Sequence, residues 1–176
     1  SHFGIDPLAV FRAIGENISS DRGRYGASTI SQQVIRNVYH HPRTVLHKVK
    51  EAWYALRLER MMNKDEILEQ YLNRAPYGNQ LFGIQAASKY YFDKPASDLT
   101  IAESAFLAGL PNAPTLLNPY QHYESAIRRQ RLILKKLFDQ GIVSDELYQR
   151  ALLQQIPIVL PDKKFKAPHA VEMVYA

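Results

Sequence analysis

Apolar residues recur every three or four positions through most of the 176-residue chain, and strict two-residue alternation is hard to find. The first spacing places apolar side chains on one face of a helix, whereas alternation is the pattern of a half-buried strand. The sequence therefore predicts a mainly α-helical protein. Because 46% of the residues are hydrophobic, the chain can bury one sizeable core, and we expect a single compact domain.

Helix boundary signals divide the chain into eight predicted helices. Asn63 with Glu66, and Thr100 with Glu103, have the spacing of capping boxes and predict two helix starts. Gly141 predicts a helix end. The other predicted starts lie at Asp6, at Ser28 or Thr29, at about Thr44, near Ile84, near Ile127 and at Ser144.

The third predicted helix begins at about Thr44 and contains the acidic residue Glu51. His47 and Lys48 lie one turn before Glu51 and can share its face. The residues alone leave three interpretations open: a functional carboxylate, a surface ion pair, or a metal ligand for which no third partner is evident. The same helix has an apolar stripe that we expect to face inward, and Glu51 lies on a different side of the helix. The stripe is formed by Val45, Val49, Ala52, Trp53 and Leu56.

Positive charge is concentrated between Arg36 and Lys64. This stretch has seven cations and two anions, so it carries the whole net charge of +5. Such a stretch suits an anionic partner, which can be a phosphate, a nucleic acid or an acidic lipid surface, although a solvated helix face is also consistent with it. No recognition-helix or RNA-binding signature accompanies the charge, so we do not expect a nucleic-acid partner.

A second candidate site lies at the start of the second predicted helix. Ser28 and Thr29 place two hydroxyls where free backbone N–H groups and the helix dipole favour an anion. Gln33 and Arg36 follow Thr29 at a spacing that allows one shared face. These groups could bind a phosphate and a sugar, while an ordinary serine N-cap is the simpler alternative.

Several classes of site and segment are absent from the sequence. Without cysteine there is no disulfide, thiolate metal site or cysteine nucleophile. No apolar run approaches the roughly 20 residues that span a bilayer. The start at Ser1 without Met suggests a piece of a longer protein, and prolines and lysines after Ile156 suggest a linker.

Five ordered stretches of the sequence match the motifs of one family. They are residues 2–6, 26–37, 48–73, 83–94 and 102–119. The second stretch is similar to G-A-S-T-I-T-Q-Q-L-x-K-N, and the third contains the K-x-x-E, L-E, K-x-E-I-L-E and Y-L-N elements. Together they resemble the family 51 glycosyltransferases, which include the peptidoglycan-polymerising domain of class A penicillin-binding proteins.

This resemblance implies an all-α, lysozyme-like, two-lobed transglycosylase domain over residues 1–155, with a linker over residues 156–176 toward a transpeptidase domain. It implies a peptidoglycan glycosyltransferase that polymerises lipid II with inversion and releases lipid pyrophosphate. Glu51 matches a catalytic acid that supports the donor. The matching substrate-binding positions are His2, Ser28, Thr29, Gln33, Arg36, His47, Lys48 and Asn112.

The sequence departs from the family pattern at positions that matter for activity. The first-motif Glu, which is the general base of the family, lies upstream of the His that His2 matches and so falls outside this chain. We therefore expect the chain alone to be impaired, and a non-catalytic module that binds lipid II is the alternative. Arg36 replaces a usual Lys and His47 a common Arg, which changes how phosphate would be held.

The resemblance also implies which cofactors, partners and cellular location to expect. It allows a divalent cation, Mg²⁺ or Mn²⁺, that Glu51 would hold indirectly, and no organic cofactor. The expected partners are lipid II, the lipid-linked glycan strand, the membrane surface and other cell-wall synthesis proteins. The expected location is the bacterial cell envelope, at the outer face of the cytoplasmic membrane, with the anchor helix outside this chain.

Overall fold

The computed structural model describes residues 29–39 and 44–159. Over these residues the chain is all-α, as predicted, and the β-type pairing within them is limited to an isolated bridge between Pro76 and Phe82. The predicted helix that starts at Asp6 lies outside the described residues. The helices are α1 (Ile30–Tyr39), α2 (Val45–Met61), α3 (Lys64–Arg74), α4 (Ile84–Phe92), α5 (Ile101–Gly109), α6 (Tyr123–Asp139) and α7 (Asp145–Leu153).

The helix starts confirm the capping signals of the sequence. Thr44, Asn63, Thr100 and Ser144 each accept a backbone N–H of the first helical turn through the side chain. Asn63 and Thr100 form complete capping boxes, so each satisfies two N–H groups that a helix start leaves unpaired. The predicted end of α6 is also confirmed, because Gly141 follows it with φ +69°.

The main core is built around α5. Seven of the nine residues of this helix are buried, and Phe106 and Leu107 are completely enclosed. Helix α6 packs along α5 and contributes Leu134 and Leu137, while α7 packs on α6. A second packing centre lies where α1 crosses α2 and α3, and its buried side chains are Val34, Ile35, Ala55 and Ile67.

The predicted inward face of α2 is wrong. Val49, Trp53 and Leu56 are 63%, 53% and 58% exposed, whereas Glu51 and Ala55 are buried against α1. Helix α2 can bury the face that bears Glu51 because Arg36 of α1 pairs with the Glu51 carboxylate. Trp53 instead packs against the guanidinium of Arg57, whose Cζ lies 5.0 Å from the ring centroid.

The segment after α7 returns along the domain. Ile156 is buried, and the Val159 N–H donates to the carbonyl of Tyr91 over 2.9 Å. The Tyr120 hydroxyl donates to the carbonyl of Val159, and the Tyr123 hydroxyl donates to that of Ile156. The first four residues of the predicted linker therefore lie on the domain, and its remainder, beyond residue 159, lies outside the described residues.

Candidate active site

The amino-terminal end of α1 is fixed by a reciprocal pair of hydrogen bonds. The Thr29 hydroxyl accepts the Gln32 N–H over 3.2 Å, and the Gln32 side-chain oxygen accepts the Thr29 N–H over 3.0 Å. This arrangement is a capping box in which glutamine takes the usual second position. It holds the predicted substrate-binding hydroxyl of Thr29 at the start of α1, while Ser28 lies just outside the described residues.

Arg36 and Glu51 form a two-point ion pair between α1 and α2. Arg36 Nε donates to Glu51 Oε1 over 3.2 Å, and Nη2 donates to Oε2 over 2.9 Å. Glu51 is only 8% exposed, so these two hydrogen bonds from Arg36 replace most of the water that a carboxylate would otherwise bind. The hydrogen bond to Glu51 raises the pKa of the Arg36 guanidinium. The ion pair with Arg36 explains how the charged Glu51 side chain can be buried.

The first turns of α2 add two further predicted residues beside this pair. Lys48 is exposed one turn before Glu51 and makes no ion pair with any part of the chain that the structure describes. His47 Nδ1 lies 2.6 Å from the hydroxyl of Thr44, which caps the helix. Helix α2 therefore presents a cation near Glu51, and His47 contributes to the helix start.

The structure brings together predicted residues from two motifs but does not reach all of them. Thr29, Gln33 and Arg36 lie on α1 or at its start, and α1 packs directly on the helix that carries Glu51. Asn112 is an exposed residue at the end of the 3-10 turn that follows α5, and it has no side-chain hydrogen bond to α1 or α2 in the described residues. His2 lies outside the described residues.

One polar contact of this interface was not predicted from the sequence. The Ser31 hydroxyl donates to Glu59 Oε1 over 2.6 Å, which joins the start of α1 to the last turns of α2. Both residues belong to the matched motifs, but one sequence does not indicate that they touch. Their pairing depends on how α1 crosses α2, which only the three-dimensional arrangement gives.

The described residues contain no ready-made cluster of protein ligands for a metal ion. Within residues 29–39 and 44–159, no three His, Cys, Asp or Glu side chains come together as ligands. Both oxygens of Glu51 accept hydrogen bonds from Arg36, so this carboxylate is engaged by a cation of the chain itself. The described part of the site therefore offers a carboxylate that is bound by Arg36, together with the exposed cation Lys48.

A cleft of about 390 Å³ lies apart from these residues. It opens along α3 and reaches the start of α4, and no predicted site residue lines it. The cleft is lined by Asn63, Asp65, Glu66, Leu68, Glu69, Leu72, Asn73 and Ile84.

The helices of residues 29–39 and 44–159 include none with the length and apolar character that a membrane span requires.

Comparisons with known proteins define the family. The sequence model of the transglycosylase family matches residues 1–138. Penicillin-binding protein 1A of Escherichia coli (strain K12) is 38% identical over 98% of this chain, and penicillin-binding protein 4 of Bacillus subtilis (strain 168) is 37% identical over 98%. The crystal structure of penicillin-binding protein 1A from Haemophilus influenzae covers 64% of the chain at a TM-score of 0.55 and 37% identity.

The chain belongs to the transglycosylase family, and it is similar throughout to the transglycosylase domains of class A penicillin-binding proteins. This result confirms the resemblance inferred from the five motifs, and the solved structure agrees with the all-α, lysozyme-like class. The chain spans 21% to 28% of the length of the Escherichia coli and Bacillus subtilis proteins.

Proposed function

We propose that this chain is the catalytic domain of a peptidoglycan glycosyltransferase that polymerises lipid II in the bacterial cell envelope. The donor is the growing lipid-linked glycan, and the acceptor is a new lipid II molecule. The proposed groups for binding the donor are Thr29 at the start of α1, Gln33 and Arg36 on α1, and His47 and Lys48 on α2. His2, Ser28 and Asn112 complete the proposed substrate contacts.

The observation that carries this proposal is the ion pair between the partly exposed Arg36 and the buried Glu51. It places the second acidic residue of the family pattern against the second motif, in a stretch with net charge +5. Cations suit a departing diphosphate, and a carboxylate suits the positive charge that develops on the donor sugar. A hydrolase of glycan strands has no diphosphate leaving group and no comparable need for these cations.

In the proposed reaction, the acceptor hydroxyl attacks the anomeric carbon of the donor from the face opposite the lipid pyrophosphate. A new glycosidic bond forms, the bond from that carbon to the pyrophosphate oxygen breaks, and the hydroxyl proton passes to a base. We infer from the family resemblance that this base is a Glu upstream of His2. Glu51 would stabilise the developing charge on the sugar, while Arg36 and Lys48 would stabilise the departing pyrophosphate.

Polymerisation of labelled lipid II tests the proposal. We expect a chain extended upstream through the Glu-containing motif to make polymer, and the present chain to bind lipid II with little turnover, because a general base contributes about 10²- to 10⁴-fold. Changing Glu51→Gln in the extended chain should lower the rate by about 100-fold or more, since it removes the charge that supports the transition state.

Glu146→Gln is the matched control. Glu146 is an exposed acid in the first turn of α7, so its loss removes the same charge away from the site and should leave the rate unchanged. If neither chain polymerises lipid II but both bind it, the binding-module alternative is correct. If neither chain binds lipid II, both functions are wrong.

A further inference from the structure

Ser31 and Glu59 form a short hydrogen bond that the proposed chemistry does not use. The donor and acceptor oxygens are 2.6 Å apart, and the two residues are 28 positions apart in the chain. Ser31 is only 6% exposed, so little water competes for its hydroxyl. A bond of this length between a hydroxyl and a carboxylate lies in the charge-assisted range, in which hydrogen bonds are roughly twice as strong as neutral ones.

This bond and the Arg36–Glu51 pair connect α1 to α2 at two separate points. Ser31 and Arg36 lie about 7.5 Å apart along α1, and Glu51 and Glu59 lie about 12 Å apart along α2, at 1.5 Å per residue. The later residue of α1 pairs with the earlier residue of α2, so the helices run in opposite directions. Two separated contacts constrain both the sliding and the rotation of α1 on α2.

The two contacts differ in how tightly they constrain the backbone. Arg36 has a long side chain with many rotamers, so it could follow Glu51 through a small shift of the helix. Ser31 has a single side-chain carbon, so its 2.6 Å bond requires the backbone of α1 to lie close to Glu59. The buried contacts between these points, at Val34 and Ala55, are apolar and have no directional preference.

We propose that Ser31 and Glu59 are positioning residues for the transferase site. Their bond sets the register of α1 on α2. It therefore holds the site residues of α1 in place relative to those of α2, which are His47, Lys48 and Glu51. This inference rests on the proposed function for its effect on catalysis, but the register itself can be measured without activity. A displacement of about 1 Å far from the chemistry can cost about 100-fold in rate, so a modest slide would matter.

The test compares Ser31→Ala, Glu59→Ala and the double variant in the chain extended upstream. We expect each single variant to raise KM, to lower kcat by about 10- to 100-fold, and to weaken binding of inorganic pyrophosphate measured by calorimetry. The double variant should resemble the single ones because both remove the same bond. Ser31→Thr keeps the hydroxyl and should restore activity to within about threefold of the parent chain.

If the Ser31–Glu59 bond only stabilised the fold, its loss would change the kinetics in a different way. Loss of folded protein lowers the apparent kcat in proportion to the folded fraction, measured by circular dichroism, and leaves KM unchanged. Ser97→Ala is the matched serine control, because the exposed Ser97 hydroxyl bonds only to neighbouring Asp98 among the described residues. We expect this control to leave all of these quantities unchanged.

Spin labels report the register directly, since the natural chain has no cysteine. Labels at Val38→Cys on α1 and Arg60→Cys on α2, which are both exposed, should show a shifted or broadened distance distribution when Ser31→Ala is added. An unchanged distribution would overturn the inference even if the parent chain proves inactive. A kcat loss that matches the folded fraction, with unchanged KM, would overturn it as well.

Discussion

At the scale of single residues, buried carboxylates in this domain are held by neighbouring cations. Glu51 has Arg36, and Glu103 of α5 accepts Lys94 Nζ over 2.7 Å and the Thr100 N–H over 2.8 Å on the same oxygen. The Glu103 side chain is 6% exposed, so its charge depends on these two donors. Lys94 thereby ties the loop after α4 to the start of α5.

Changing Glu103→Gln should destabilise the domain. Glutamine keeps an oxygen for the Thr100 N–H but loses the charge that pairs with Lys94. We expect the free energy of unfolding to fall by about 1.5 kcal/mol, the lower end of the range for hydrogen bonds to charged groups, because Lys94 remains partly hydrated. Urea denaturation followed by circular dichroism measures this change.

An exposed ion pair in the same region is the control. Lys89 and Asp93 are 2.6 Å apart, but their side chains are 66% and 70% exposed. Asp93→Asn should therefore change the free energy of unfolding by less than about 1 kcal/mol. Equal losses for the two variants would contradict the view that burial gives the Glu103 pair its importance.

At the scale of helices, local caps define where the elements begin. The Asn63 side chain accepts the Glu66 N–H over 2.9 Å, and the Glu66 carboxylate accepts the Asn63 N–H over 2.8 Å. Helix α3 follows α2 almost directly, with Met62 as the C-cap of α2 and Asn63 as the N-cap of α3. This box therefore fixes the corner between two helices that both pack on α1.

Asn63→Ala should lower the free energy of unfolding by about 1 kcal/mol, because it removes the cap acceptor and leaves the Glu66 N–H without its side-chain partner. Asn63→Asp keeps an acceptor oxygen at the same place, and its stability should stay close to that of the natural chain. Thermal and urea unfolding of the three chains measure the difference. A loss as large in the aspartate variant would mean that the cap is not the cause.

The sequence predicted where the helices begin and end better than it predicted which face of a helix is buried. Caps act over three or four neighbouring residues, so Asn63, Thr100 and Ser144 are visible in the sequence. The buried face of α2 depends instead on Arg36, which lies on another helix and can hold the Glu51 carboxylate in the interface. Hydrophobic periodicity treats any carboxylate as solvent-facing, and it therefore selected the apolar stripe around Trp53 that the structure exposes.

The candidate site was predictable only in part for the same reason. The motif resemblance indicated Arg36 and Glu51 as site residues, but it did not indicate that they pair with each other. The contact of Ser31 with Glu59 depends on the crossing of two helices and has no local signal.

At the scale of the whole molecule, tyrosines tie the segment after α7 to the core. Tyr91 is completely buried, and its hydroxyl donates to the carbonyl of Tyr77 over 2.8 Å. The rings of Tyr90, Tyr91 and Tyr120 lie against one another, with centroids 5.3 to 6.0 Å apart. Tyr120 and Tyr91 also hold Val159, so this cluster connects α4 with the returning chain.

Three tyrosines packed in or against the core, Tyr71, Tyr77 and Tyr91, predict how stability depends on alkaline pH. Burial raises the pKa of Tyr71 and of Tyr91 to about 12, and it raises the pKa of Tyr77 as well. An unfolded tyrosine loses its proton near pH 10, so between about pH 10 and 12 the unfolded chain binds fewer protons than the folded one. Stability is therefore complete below about pH 10 and declines as the pH rises toward 12.

Tyr71→Phe tests this dependence, because phenylalanine keeps the ring in the core and removes one ionisable group. Each such tyrosine contributes a loss of up to about 1.4 kcal/mol per pH unit in that window, so the variant should lose stability less steeply by up to this amount. Urea unfolding at a series of pH values measures the slope, and tyrosinate absorbance follows ionisation. If both chains show the same slope above pH 10, the Tyr71 hydroxyl is not protected from ionisation by its burial in the fold.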